Sequence, residues 1–140
     1  MERVILSAEM RWRLMQHVRQ SLPREAVGLL AGRSSGQVDL IMPLPNVADG
    51  DWAFLADPLA QFSALQRIGA AGLELLAIYH SHPSGGTDPS PRDLKYAQAW
   101  RCAHVIVAVN ADGDVPERLQ AFRCLPSGSI EKVMLVTSVS

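Results

Sequence analysis

Apolar and polar positions follow two different periods along this chain, and the changes of period divide it into elements. Met10, Leu14, Val18 and Leu22 recur every fourth residue, as on one helical face, with Ser7 placed to cap the start and Pro23 to mark the end. VGLLAG (27–32) and QVDLIMPL (37–44) are apolar runs flanking RSSG, which carries the glycine of a tight reversal. They predict a β-hairpin, and Pro43 and Pro45 mark an edge or a strand end. NVADGDWAFLADP (46–58) predicts a loop with a short strand at WAFL (52–55). Asp57 and Pro58 supply the cap and first turn of a second helix, expected to reach about Ala71 and to bury Phe62, Leu65 and Ile68.

LELLAIYH (73–80) is nearly continuous in apolar residues, as a strand covered on both faces would be. Ser90, Pro91 and Asp93 suit the cap, first and third positions of a helix running through Trp100. HVIVAVN (104–110) predicts another buried strand and NADGD (110–114) a turn; RLQAFRC (118–124) and IEKVMLVT (130–137) form a hairpin around PSGS. Early alternation of strands and helices, followed by hairpins, predicts an α/β (α+β) fold: a mixed β-sheet with helices packed against it. With no internal repeat, low-complexity tract or long linker, residues 1–140 are expected to form one domain.

The charges add little specificity. Thirteen Lys and Arg against 14 Asp and Glu give a net charge of −1, and no block of like charge stands out, which argues against nucleic acid or an anionic membrane as partner. No segment approaches the roughly 20 apolar residues of a membrane span, and the start, MERVILSAEMRWRLMQ, is broken by polar residues; a soluble, cytoplasmic protein without an export signal is expected. Cys102 and Cys124 form no CxxC pair and are expected to be buried free thiols.

The stretch HSHPSGGTDPSPRD (80–93) holds the candidate chemistry. Residues two apart on a strand share a face, so His80 and His82 can converge on one ion, and a reversal through Ser84, Gly85 and Gly86 can return Asp93 as a third ligand. Two neutral imidazoles and one carboxylate leave a dication with net positive charge, which favours ionisation of a bound water. Each piece also has an ordinary explanation: histidines at a strand end, and S-x-x-D as a capping box. A hydrolase needs a proton carrier, and Glu25, just before an apolar strand, is the candidate; alone it would be an ordinary surface glutamate. Glu74 shares parity with His80 but lies roughly 20 Å along the strand. Asp88 is an alternative to Asp93, and Ser90 could donate to a developing oxyanion. His17 and His104 are expected to be structural or exposed.

Taken together, Glu25, His80-Ser81-His82-Pro83, six residues, then Ser90-Pro91-Arg92-Asp93 resemble the JAMM (MPN+) metalloprotease motif E…H-[ST]-H-P-x6-S-x-x-D at every motif position. Gly28-Leu29-Leu30 and the order of elements are similar to that family too, so the resemblance covers nearly the whole chain. It implies a curved sheet flanked by helices, a cytidine-deaminase-like JAMM/MPN core. It implies that His80, His82 and Asp93 bind one Zn2+, that Glu25 is the general base for the zinc-bound water, and that Ser90 helps stabilise the oxyanion. The bond cleaved would be an amide, peptide or isopeptide. The chain is most similar to short prokaryotic members, some of which act on small ubiquitin-like sulfur carriers and release an amino acid, such as cysteine, from a C-terminal glycine. The implied partner is a small ubiquitin-like or sulfur-carrier protein with a C-terminal Gly-Gly tail, lying along 46–57 and 83–89 or adding to a sheet edge; a homodimer is open. Other readings are a scaffold that has lost catalysis and a RadC-like DNA-repair-associated protein. The zinc-deaminase pattern H-x-E…P-C-x-x-C is absent.

Overall fold

The computed structural model describes residues 2–50, 53–83, 86–109 and 118–137. Its elements are β1 (Arg3–Leu6), α1 (Ala8–Ser21), β2 (Val27–Gly32), β3 (Val38–Leu44), α2 (Pro58–Ala70), β4 (Glu74–His82), α3 (Pro91–Gln98), β5 (Ala103–Ala108), β6 (Arg118–Cys124) and β7 (Ile130–Thr137). One mixed sheet has the order β1-β7-β6-β5-β4-β2-β3. The hairpins β2–β3 and β6–β7 are antiparallel, whereas β4 and β5 are parallel and are joined by the crossover that contains α3.

Helices cover both faces of the sheet. Leu14, Met15 and Val18 of α1 pack with Val4, Leu30, Tyr79, Val105 and Val107 on one side. Ala64 and Ile68 of α2 pack with Val27, Leu29, Met42 and Ile78 on the other, and Ala97 of α3 joins Ile106 and Phe122 there. Every residue of β2 and of β5 is therefore buried, which is why these segments lack a polar alternation.

The predicted elements are recovered with local differences. Strand β1 was not foreseen; four residues are too few for a period, and pairing with β7 at the far end of the chain fixes it. No strand forms at Ala53–Leu55; Asn46 and Ala56 make one isolated bridge instead, and Trp52 lies outside the described residues. Phe62 is not buried but 52% exposed, and Leu65 is only partly buried, because the covered stripe of α2 runs through Ala64 and Ile68. Helix α3 ends at Gln98 rather than Trp100, and β4 continues through His82. The predicted NADGD turn (110–114) lies outside the described residues. Cys102 and Cys124 are free and half-buried. Among the described residues no helix is long and apolar enough to cross a membrane.

Two glycines have identifiable reasons. Gly36 closes the β2–β3 reversal at φ 95°, a left-handed conformation that glycine adopts without strain. Gly28 pairs with Tyr79 on β4, and a Cβ at position 28 would overlap the Tyr79 ring. That ring crosses the glycine to reach α1, where its hydroxyl and His17 Nδ1 share a hydrogen bond of 2.6 Å. Burial raises the pKa of the Tyr79 phenol and lowers that of His17, so both remain neutral in the hydrogen bond. His104 is also structural: burial, and then the neighbouring His80, lower its pKa to about 4, and it stacks on Phe122. Gly28→Ala is expected to displace Tyr79 and to cost about 1–3 kcal/mol of stability, measured by urea unfolding; an unchanged midpoint would show that the close approach does not constrain the fold.

Candidate metal centre

Strand parity and register assemble the site at one end of the sheet. In β4 the even positions Ile78, His80 and His82 face the α2–α3 side, and β2 pairs antiparallel with Val27 opposite His80. The pairing continues past the strand: the Ser81 amide donates to the Ala26 carbonyl at 3.1 Å, and the Ala26 amide donates to Ser81 Oγ at 2.7 Å. The next step of that register puts Glu25 opposite His82, on the same face. The parallel pair β4–β5 ends there too, and the α3 crossover returns its own N-terminus to the carboxyl end of β4, the usual location of a ligand crevice in such sheets.

Ser90 and Asp93 form a reciprocal capping box at the start of α3: the Asp93 amide donates to Ser90 Oγ at 3.1 Å, and the Ser90 amide donates to Asp93 Oδ2 at 2.9 Å. The cap holds the Asp93 carboxylate against both imidazoles. His80 Nε2 lies 3.2 Å from Asp93 Oδ1, His82 Nε2 lies 3.0 Å from Asp93 Oδ2, and the two Nε2 atoms are 3.3 Å apart. His82 Nδ1 is 2.8 Å from the Gly86 carbonyl, an acceptor only, so Nδ1 carries the proton and Nε2 of the neutral ring presents its lone pair. Gly86 is the described part of the reversal; Ser84 and Gly85 lie outside the described residues.

This donor set fits a divalent ion. Donors about 2.0–2.1 Å from a tetrahedral zinc stand about 3.3 Å from one another, the separation of the two Nε2 atoms, and an Asp93 carboxylate oxygen lies 3.0–3.2 Å from each of them. The side chains of His80, His82 and Asp93 are 3%, 15% and 7% exposed, so water offers little compensation for lone pairs turned toward one another. Burial would raise the Asp93 pKa, but the facing His80 and His82 imidazoles outweigh it and hold the carboxyl well below the usual range. Burial lowers His80; for His82 the opposing pull of Asp93 and the Gly86 carbonyl prevails and its pKa is raised. Among the described residues these three form a group able to hold a metal. Asp88 is exposed and does not join it, and exposed Glu74 begins β4 at the opposite end from His82.

Glu25 is buried at 7% exposure rather than on the surface, and burial pushes its carboxyl up to about 7; His82 and Arg92 lower it and Asp93 raises it. A carboxyl in that range exchanges protons readily near neutrality. The Ser90 cap uses the hydroxyl oxygen as acceptor, and the hydroxyl proton remains available for donation.

The supporting roles of three residues were not foreseen from the sequence. Ser81, fully buried on the face opposite His80 and His82, anchors Ala26 beside Glu25. Asn46 donates to the carbonyls of Glu25 at 2.8 Å and Ala53 at 3.1 Å, and accepts from the amides of Ala48 and Leu55, each at 3.0 Å. Phe54, in the loop thus held, stacks on His80 with ring centroids 4.3 Å apart and meets Tyr96 edge-on. Only Ser81 left a sequence signal, a polar residue inside an apolar strand; the partners of Asn46 and Phe54 depend on the loop's conformation.

Residues 7–125 match the family of prokaryotic homologs of the JAB domain. The chain belongs to that family. It is 52% identical over 91 residues to a probable TtuB-protein conjugate cleaving protease of Thermus thermophilus, a match covering 64% of this chain and 60% of that protein's length. A desampylase of Haloferax volcanii is 33% identical over 117 residues, covering 79% of this chain and 83% of that one. The crystal structure of a JAB1/MPN domain protein from Archaeoglobus fulgidus superimposes with a TM-score of 0.60 at 20% identity, over 97% of this chain and 99% of that one, and so shares the JAB/MPN fold.

Asn46→Ala is expected to speed hydrogen exchange of the Ala48 and Leu55 amides, which lose their acceptor, by about tenfold or more. Unchanged protection of both would show that Asn46 does not hold the loop.

Proposed function

We propose that this chain, folded as one domain over residues 1–140, is a zinc-dependent JAMM peptidase. It cleaves the amide or isopeptide bond after the C-terminal glycine of a ubiquitin-like or sulfur-carrier protein. The observation that carries the reading is the convergence of His80, His82 and Asp93 on one point with Glu25 on the same sheet face. The conjugate-cleaving protease and the desampylase among its relatives support the bond type. A cytoplasmic location agrees with ubiquitin-like substrates and free thiols.

His80, His82 and Asp93 would hold the metal, which when bound acidifies water and polarises the scissile carbonyl. Glu25 takes a proton from the attacking water at its carboxylate and delivers it to the leaving amine, so the carboxyl returns to its starting state. The Ser90 hydroxyl donates toward the carbonyl oxygen as charge develops there, while its oxygen continues to accept the Asp93 amide. Phe54 fixes the ring plane of His80 and, with Tyr96, keeps bulk water from that side of the cluster.

A tail lying in the cleft fits better than one simply added beside the metal. β4 is flanked on both sides by β2 and β5, and 45–47, which continue β3, already pair with 55–57.

Glu25→Gln is expected to lower turnover by about 10²–10⁴-fold at unchanged zinc content. The check is intact mass of a sulfur carrier extended beyond Gly-Gly, alongside metal analysis. Loss of zinc from Glu25→Gln, or retained turnover, would contradict the role assigned to Glu25.

A further inference from the structure

A groove of about 440 Å³ lies between the 46–55 loop and the first turns of α3. It adjoins the metal centre: Phe54 forms its wall on one side and stacks on His80 on the other, and Arg92 on its helical wall immediately precedes Asp93. Val47 and Leu55 line it at 48% and 51% exposure. They are aliphatic groups open to solvent on backbone held by hydrogen bonds, since the Leu55 amide bonds Asn46 Oδ1 and the Val47 amide bonds the Leu55 carbonyl. Arg92 and Lys95, three apart on one helical face, line the opposite wall, and neither makes an ion pair among the described residues. Asp49 on the loop side is the groove's acidic lining residue. The groove thus carries two cations against one carboxylate on a chain whose net charge is −1.

We infer that Arg92 and Lys95, on the helical wall of the groove where the resemblance already lays the substrate tail, select a substrate segment with acidic residues among apolar ones. The inference rests on the peptidase reading and gives it a charge preference. Val47, Leu55 and the aromatic wall take apolar side chains, and the helical wall takes their acidic neighbours. A nucleic acid fits the same groove less well, because its phosphates would meet Asp49 and leave the aliphatic wall unused.

The test uses the full-length, zinc-loaded protein and three capped six-residue peptides ending in Gly-Gly, alike except for aspartate, serine or lysine at two alternating positions before the glycines. Calorimetry is expected to give about tenfold tighter binding of the aspartate peptide than of the lysine peptide, a contrast that shrinks in about 0.5 M salt. In Arg92→Glu/Lys95→Glu the order should invert; should that protein fail to fold, Arg92→Gln/Lys95→Gln should abolish the contrast. Equal affinities, no binding of any peptide, or a preference surviving charge removal would overturn the inference. So would tighter binding of a ten-residue oligothymidine. Fluorogenic amides of the same peptides separate the two claims. Charge-selective binding without cleavage would refute the peptidase and spare the groove, whereas cleavage indifferent to charge would do the reverse.

Discussion

Two imidazoles and a carboxylate brought together inside a protein are best satisfied by a cation between them. The Nε2 atoms of His80 and His82 stand 3.3 Å apart with little access to water, the spacing of two donors on a tetrahedral zinc, and each has an Asp93 carboxylate oxygen 3.0–3.2 Å away. Much of the rest of the molecule serves to hold those donors in place. The buried β4 delivers two imidazoles on one face, the capping box of α3 orients the carboxylate, the Gly86 carbonyl fixes the His82 tautomer, and Phe54 fixes the His80 ring plane.

The same pairing that builds the sheet brings Glu25 to the site. Val27 opposite His80 is one step of an ordinary antiparallel ladder, and Ser81 extends it by substituting its side chain for a backbone acceptor. Glu25 is thereby carried out of water to a position opposite His82, and burial rather than any single charge raises its carboxyl to about 7. Fold and chemistry are joined at this point, since a one-residue slip of β2 would turn Glu25 to the other face.

The grouping of His80, His82 and Asp93 was legible because strand parity and a capping box are local patterns, whereas Glu25 was singled out by motif spacing. The mixed sheet and its two hairpins were legible from runs of apolar residues bounded by turn signals. Features set by distant contact were not. β1 depends on β7 at the other end of the chain, Phe62 is exposed because the covered stripe of α2 runs through Ala64 and Ile68, and Asn46 acts through four bonds that exist only once its loop has closed. Gly28 is intermediate: its lack of a side chain was visible, but its reason, the Tyr79 ring passing over it to His17, required the third dimension.

The most direct test of the account is X-ray absorption at the zinc edge on protein loaded with one equivalent of metal, compared with His80→Ala and Asp93→Ala. The account predicts one tightly held ion with two imidazole nitrogens and carboxylate oxygen at about 2.0–2.2 Å, and loss of stoichiometric binding in both variants. A shell containing sulfur, or an unchanged spectrum after either substitution, would place the metal elsewhere and contradict it.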